Sequence, residues 1–143
     1  MFLGEFQHTV DNKNRLILPA KFRESFADGL IITKGFENCL FIFSKAEWPG
    51  IEEKITSLQL LKKDARKLSR FFFGGASEEV PDKNGRIVVP AHLRDFADLK
   101  KDVVVVGVSN RLEVWSKSNW QEYVVEAEKS YEDTAEELAD IGL

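Results

Sequence analysis

The 143-residue sequence lacks the residues and segments that several classes of protein require. It contains a single cysteine, Cys39, so the chain offers no pair of cysteines for an intramolecular disulfide and no set of cysteines for a metal cluster. No apolar run approaches the roughly 20 residues that a membrane-spanning helix needs. The N-terminal residues lack a basic segment followed by an apolar one, so we expect no signal peptide, no membrane partner and a cytoplasmic protein.

Residues suited to catalysis are also scarce. The only two histidines, His8 and His92, occupy non-equivalent positions and lack the spacing of metal ligands. The sequence contains neither a glycine-rich phosphate-binding loop nor a nucleophile-elbow motif. Cys39 begins an apolar run and is predicted to be a core residue rather than a nucleophile. The sequence therefore predicts no cofactor, no metal site and no enzymatic activity.

The formal net charge of −4 at first argues against a nucleic-acid partner. The acidic residues are concentrated at one end, however: residues 126–143 carry a net charge of −6, which leaves +2 on residues 1–125. Local patches of charge determine DNA binding more than the total does. The composition is thus compatible with a DNA partner, provided that the acidic tail lies away from it.

The most informative feature of the sequence is an internal repeat. Residues 11–23 align with residues 82–94 at an offset of 71, with Asp, Arg, Pro, Ala and a second Arg at matching positions. After a shift of one residue, residues 39–45 align with 111–117, and Trp48 aligns with Trp120. Such self-similarity predicts two copies of one structural module.

Each copy is predicted to be rich in β-structure. In the first copy, the pattern predicts a strand at residues 6–10, a turn at 11–14 and a second strand at 15–18. A short helix at 19–26 and two further strands at 30–33 and 39–43 follow. The first two strands and their turn form a predicted β-hairpin. Asn84-Gly85 in the second turn strengthens this prediction because glycine accepts positive φ, and Asn14 takes the place of that glycine in the first turn.

Helical segments follow both copies. Residues 45–72 and 117–139 place apolar residues at three- and four-residue steps, which predicts helices, the first interrupted at Pro49-Gly50. The predicted fold class is therefore α+β and mainly β. We divide the chain into a first module, a helical linker, a second module, and a C-terminal helix with an acidic tail, at residues 1–48, 49–72, 73–116 and 117–143.

The two turns are the candidate functional site. Each contains an aspartate and, four residues later, an arginine, with a lysine between them. An arginine oriented by a carboxylate presents a planar fork to a guanine edge or a phosphate, and lysine supplies a point charge for phosphate. The alternative is that each pair only staples its hairpin, but its recurrence at equivalent positions favours a function. The candidate DNA-binding residues are Asp11, Asn12, Lys13, Asn14, Arg15, Asp82, Lys83, Asn84, Gly85 and Arg86.

Two further clusters have open interpretations. The basic residues of the linker form one side of a predicted helix, which is either a solvated face or a contact with phosphate or a partner subunit; they are Lys62, Lys63, Arg66, Lys67 and Arg70. The aromatic run at residues 71–73 is either core or a subunit interface.

Together these segments resemble the MraZ family, over residues 4–23, 65–76 and 82–90. The resemblance implies tandem SpoVT/AbrB-like swapped-hairpin modules within one chain, forming a small pseudo-twofold barrel with a helical appendage after each module. It also implies a homo-oligomeric ring that binds short direct repeats in double-stranded DNA and is associated with the nucleoid. The resemblance further implies that such a protein regulates transcription of its own division and cell-wall gene cluster from these sites.

The family's Asp-x-x-x-Arg motif falls on Asp11 and Arg15 and on Asp82 and Arg86, so the resemblance assigns the DNA-facing loops to residues 11–15 and 82–86. One departure is Asn14, where the family usually has glycine. A related oligomeric adaptor or antitoxin whose main partner is a protein is the alternative, and it predicts that the loop charges are dispensable. An enzyme on a small barrel would need a cluster of perturbed acids or histidines, which the sequence does not display.

Overall fold

The computed structural model describes residues 1–138 and residue 142 of the chain. The first half contains β1 (Phe2–Thr9), β2 (Arg15–Ile17), a 3-10 helix (Ala20–Phe26), β3 (Leu30–Lys34), β4 (Leu40–Ser44), α1 (Trp48–Thr56) and α2 (Lys63–Gly74). The second half contains β5 (Ser77–Glu79), β6 (Arg86–Val88), α3 (Ala91–Phe96), β7 (Asp102–Ser109), β8 (Leu112–Ser116) and α4 (Lys117–Glu137).

The two copies of the module are interleaved. A six-stranded sheet has the order β1-β7-β8-β4-β3-β5, and a separate two-stranded sheet joins β2 to β6. Strand β1 pairs antiparallel with β7 of the second copy, and β5 pairs antiparallel with β3 of the first. Each copy therefore completes the sheet of the other, which confirms the α+β fold with tandem swapped hairpins.

An internal pseudo-twofold axis passes between β2 and β6. Leu16 lies opposite Ile87, its equivalent in the repeat. The backbone N–H of Leu18 donates to the carbonyl of Gly85 at 2.9 Å, and the equivalent N–H of Val89 donates to the carbonyl of Asn14 at 2.9 Å. Each turn is thus held by the backbone of the other copy.

The predicted hairpin at residues 6–10 and 15–18 is wrong as a ladder of paired strands. The two segments share only one isolated bridge, between Val10 and Leu16. The physical reason is that β7 offers all eight residues of β1 a partner, whereas β2 has three residues and is followed by Pro19. The larger gain of backbone hydrogen bonds lies in pairing across the two copies.

A single core joins the copies. It contains Leu16 and Ile87 beneath the two-stranded sheet, with Phe26 from the 3-10 helix and Leu93 from α3. A second apolar cluster covers the outer face of the six-stranded sheet, where α1 and α2 pack over it. There the ring of Trp48 stacks on that of Phe72, with 5.8 Å between the centroids.

The predicted interruption of the linker helix at Pro49-Gly50 is also wrong. Both residues lie in the first turn of α1, where a missing proline N–H has no helical partner to lose. The break falls at residues 57–62 instead. There Arg66 Nη1 donates to the carbonyls of Leu60 and Leu61, so a side chain satisfies the backbone of the connection.

Other sequence predictions concern single elements. Cys39 is buried in the second apolar cluster, as predicted, and burial raises the pKa of its thiol to about 12. Helix α4 begins at Lys117, as predicted, and Asp140 of the acidic tail lies outside the described residues. Among the described helices, none combines the length and apolar character needed to cross a membrane.

Candidate nucleic-acid interface

The first turn is built around one carboxylate. Asp11 Oδ1 accepts the backbone N–H groups of Lys13 and Arg15, each at 2.9 Å. Asp11 Oδ2 accepts from Arg15 Nε at 2.8 Å. The carboxylate therefore fixes both the path of the turn and the direction of the guanidinium.

The second turn repeats this arrangement. Asp82 Oδ1 accepts the N–H groups of Asn84 and Arg86 at 2.9 Å, and Asp82 Oδ2 accepts from Arg86 Nε at 2.8 Å. Within residues 1–138, no hydrogen bond uses the Nη groups of Arg15 or Arg86. The aspartate staples the turn and at the same time leaves the outer edge of the guanidinium open to a ligand.

Both aspartates are held in the ionised form. The pKa of Asp11 lies below its ordinary value, first because of the backbone hydrogen bond from Arg15 and then because of the bond from its side chain. The pKa of Asp82 is lowered by the same contacts from Arg86. The guanidinium of each turn therefore keeps its orienting charge at neutral pH.

This shift predicts how the turns respond to acid. A carboxyl whose pKa is lowered by folding stabilises the folded turn above its unfolded pKa, and this contribution is lost as the pH falls through the lowered value. We expect the amides of Lys13 and Asn84 to stay ordered in mild acid and to lose their hydrogen bonds only below pH 3.8, the ordinary value for aspartate. Amide chemical shifts across a pH titration measure this, with Asp11→Asn as the control that removes the transition from the first turn. A midpoint at or above pH 3.8 would contradict the geometry described.

The two arginines share one outward surface. In the β2–β6 sheet, Leu16 and Ile87 point into the core, and the alternate positions point outward. Arg15 lies opposite Val88, and Arg86 lies opposite Ile17. Arg15 and Arg86 both line one open groove of about 470 Å³. Residues 71 positions apart in the sequence are thereby brought to a single face.

The other predicted site residues occupy the tips of the turns. Asn12, Lys13 and Asn14 are exposed, as are Asp82, Lys83 and Asn84. Gly85 is buried against the side chain of Arg23. Its part in the site is conformational, because it has φ +74° and the equivalent Asn14 has φ +62°.

A methyl group at Gly85 is expected to destabilise the fold. Its Cβ would lie 2.4 Å from Arg23 Nε, and the left-handed backbone itself costs an L-residue about 1–2 kcal/mol. We expect Gly85→Ala to lower the free energy of unfolding by about that amount in urea titrations. Gly50→Ala is the matched control: it meets no atom within 4 Å in α1 and should raise stability by about 0.5–1 kcal/mol. Equal stability of the Gly85→Ala and parent chains would refute the strain argument.

Sequence reasoning missed the arginines that support the turns. Arg23 Nε donates to the carbonyl of Leu18 at 3.2 Å, and the equivalent Arg94 Nη1 donates to the carbonyl of Val89 at 3.5 Å. Arg23 packs on Gly85, and Arg94 lines a surface depression with Asn14. Each arginine therefore lies beside the turn of the other copy. The sequence feature that could have revealed Arg23 and Arg94 is the second arginine that matches between the two copies of the repeat.

The surface beside the two arginines is not symmetric. On one side the groove is lined by Gln7, Thr9, Asp102 and Lys117. The position equivalent to Gln7 in the second copy is Glu78, which pairs with Lys45 at 2.8 Å. The side contributed by β1 therefore has Gln7 where the other copy has the carboxylate of Glu78, while Asp102 supplies a different carboxylate there, and these neighbours were also missed from sequence.

The two histidines and the acidic side chains were the other candidates for chemistry. Within residues 1–138, no group of histidine, cysteine and acidic side chains is arranged to hold a metal ion. Burial, reinforced by the charge of Arg23, lowers the pKa of His8, so its neutral form is favoured beside the groove. His92 Nε2 lies 2.9 Å from the carbonyl of Gly75 and serves the local structure.

Comparison with known proteins agrees with the repeat and the fold. The family model described as "MraZ protein, putative antitoxin-like" matches residues 1–71 and again 72–141. A protein named transcriptional regulator MraZ from Natranaerobius thermophilus is 52% identical over 143 residues, all of both chains. Proteins of the same name from Desulforamulus reducens and a Thermoanaerobacter species are 52% identical over 99% of each chain and 49% identical over all of each chain. The chain belongs to the MraZ family.

Proposed function

We propose that the chain is a sequence-specific DNA-binding transcriptional regulator that acts on short repeats upstream of its own division and cell-wall gene cluster. The observation that carries this proposal is the pair of aspartate-clamped arginines with open Nη edges on one surface. The names of its relatives support the same role. We further propose that it acts in the cytoplasm, in association with the nucleoid.

In the proposed complex, the two turns contact the DNA together. A two-stranded β-ribbon fits the major groove of B-form DNA, and the β2–β6 sheet has this form. Arg15 and Arg86 would each donate two Nη hydrogen bonds to the O6 and N7 atoms of a guanine or to a phosphate. Lys13 and Lys83 at the tips would contact flanking phosphates.

We also propose that several copies assemble into a ring. One copy offers few phosphate contacts, and both affinity and its salt dependence grow with their number. Successive pairs of turns placed about 10 base pairs apart would meet repeated sites on one face of the duplex. When several weak DNA contacts are linked in one assembly, the overall affinity rises even though no single contact becomes stronger.

We also propose that the chain is divided into four parts, at residues 1–48, 49–72, 73–116 and 117–143.

Binding to the DNA upstream of the chain's own gene tests the function. Fluorescence anisotropy would compare this duplex with a shuffled duplex of the same composition, from about 50 to about 200 mM salt. We expect tighter binding to the native sequence at every salt concentration, with the logarithm of affinity falling linearly with that of salt. Equal affinity for both duplexes would refute sequence-specific recognition.

A second candidate function is an adaptor or antitoxin whose main partner is a protein. The observation in its favour is the exposed aromatic surface of α2, where Phe71 is 59% exposed. It predicts that removal of the loop charges leaves partner binding intact, whereas the DNA-binding proposal predicts that the same change removes the main activity.

A further inference from the structure

The outer part of α4 has an apolar face without a partner in the described chain. Its first turns are anchored, since Trp115 packs against Trp120 and Tyr123 with ring centroids 5.2 and 5.0 Å apart. Farther along, Tyr131 is 75% exposed and Leu138 is 58% exposed. Between residues 117 and 137, no side chain of α4 is buried. A helix with an apolar stripe normally packs that stripe against another element.

Helix α2 borders an open apolar groove of about 370 Å³. Phe36, Leu68, Phe71 and Phe96 line this α2 groove, and Phe36 and Phe71 are more than half exposed. Lys34 Nζ lies 4.8 Å from the ring centroid of Phe71 and 5.6 Å from that of Phe96. Exposed aromatic surface of this kind, edged by charge, is typical of an interaction site.

The two surfaces carry opposite charge. The charged residues that line the α2 groove are Lys34, Lys67 and Asp64, and the exposed Lys63 directly precedes Asp64 at the start of α2. The apolar stripe of α4 includes Ala127 and Tyr131 and extends to Leu138. Glu128 and Glu132 directly follow the first two of these residues, so they border one edge of the stripe. Within residues 1–138, neither set of charged groups forms an ion pair with the other.

We propose that the apolar face of α4 in one copy of the chain docks into the α2 groove of a second copy, with Glu128 and Glu132 facing Lys63 and Lys67. This inference rests on the self-association included in the proposed function, and it assigns the surfaces that meet. The partner is a second copy because each chain carries one basic acceptor and one acidic donor, each after one of the two repeated modules.

The proposed contact is heterologous, because the two mating surfaces differ. Every copy added leaves one free α2 groove and one free α4 at the ends of the assembly. Such head-to-tail contacts close into a ring when the rotation between copies allows it. Apolar burial would supply the affinity, and the opposed charges would set the partner and the register.

A reciprocal charge exchange tests the contact. One variant carries Lys63→Glu with Lys67→Glu, and the other carries Glu128→Lys with Glu132→Lys. Light scattering after size exclusion measures the mass, which is 16.3 kDa for one copy. We expect wild type at a multiple of this mass and each variant alone at 16.3 kDa, because like charges then meet at every contact. An equimolar mixture of the two variants should regain an assembly, since every mixed contact again joins opposite charges.

The control variant carries Glu122→Lys with Asp133→Lys, which makes the same charge change on the opposite side of α4. It should retain the mass of wild type, and circular dichroism should show unchanged helix content in all variants. Exchange variants that keep the wild-type mass, or a mixture that stays at 16.3 kDa, would overturn this contact and leave self-association standing. A wild-type chain of 16.3 kDa would overturn self-association itself, and neither result would bear on DNA binding by the turns.

Discussion

Replacement of Arg15 and Arg86 together by alanine is expected to abolish specific DNA binding by a chain that remains folded. Each base-contacting arginine is worth about 1–3 kcal/mol at its base, so the pair should weaken binding by at least about 30-fold in anisotropy titrations. The fold should persist because each aspartate still accepts two backbone N–H groups of its turn. The DNA affinity of each single variant should lie between those of the parent chain and the double variant.

The matched control removes two positive charges elsewhere. Lys54→Ala with Lys129→Ala alters exposed positions on α1 and α4, away from both turns. Its affinity should stay close to that of the parent, and only the salt dependence should reflect the lower total charge. Equal losses in the arginine and lysine variants would show that binding depends on net charge and not on the clamped guanidinium groups.

Leu16→Ala is expected to have the largest effect on stability. Leu16 is fully buried at the pseudo-twofold axis, opposite Ile87, where the cores of both copies meet. Truncation of a buried leucine costs about 2–5 kcal/mol, a large part of the 5–15 kcal/mol that holds a typical domain folded. We expect the midpoint of urea unfolding to shift to a lower urea concentration, and the shift should be the same whether unfolding is monitored by tryptophan fluorescence or by circular dichroism.

The adjacent residue provides the control for this prediction. Ile17 is on the same strand but faces outward and is 36% exposed, so Ile17→Ala should cost much less than Leu16→Ala. Because β1 and β5 each pair with the other copy, both modules should unfold in one transition. Two separate transitions in the Leu16→Ala chain would contradict the shared core.

Much of this architecture was predictable because the repeat encodes it. The matched Asp-x-x-x-Arg segments predicted two equivalent turns. The residue types at the equivalent positions Asn14 and Gly85 predicted the positive φ that both residues adopt. The apolar run after Cys39 predicted a buried strand, and β4 is buried throughout. These features depend on short-range chemistry, which a sequence displays directly.

The pairing of strands was not predictable from local pattern. A strand, a turn and a second strand have the same alternation whether they pair with each other or with another copy. The length of β7 decides the outcome here, and that is a property of residues about 100 positions away from β1. Only the family resemblance implied the exchange in advance.

The residues that support the site were not predictable from the sequence for the same reason. Arg23 and Arg94 belong to the repeated motif, but each lies beside the turn of the opposite copy. Lys117 reaches the groove from the start of α4, far along the chain from Arg15. Such contacts arise only once the two copies interleave, so spacing along one copy does not reveal them.

Cross-linking from the two tips tests most directly whether both turns grip DNA together. Lys13→Cys and Lys83→Cys chains would each carry a thiol-attached photocross-linker, since Cys39 is buried with its pKa raised to about 12 and should stay unlabelled. Both chains are predicted to form covalent adducts with the upstream duplex in comparable yield, well above a Lys54→Cys chain on α1. Adducts from only one tip, or from neither above the Lys54→Cys background, would contradict the paired grip.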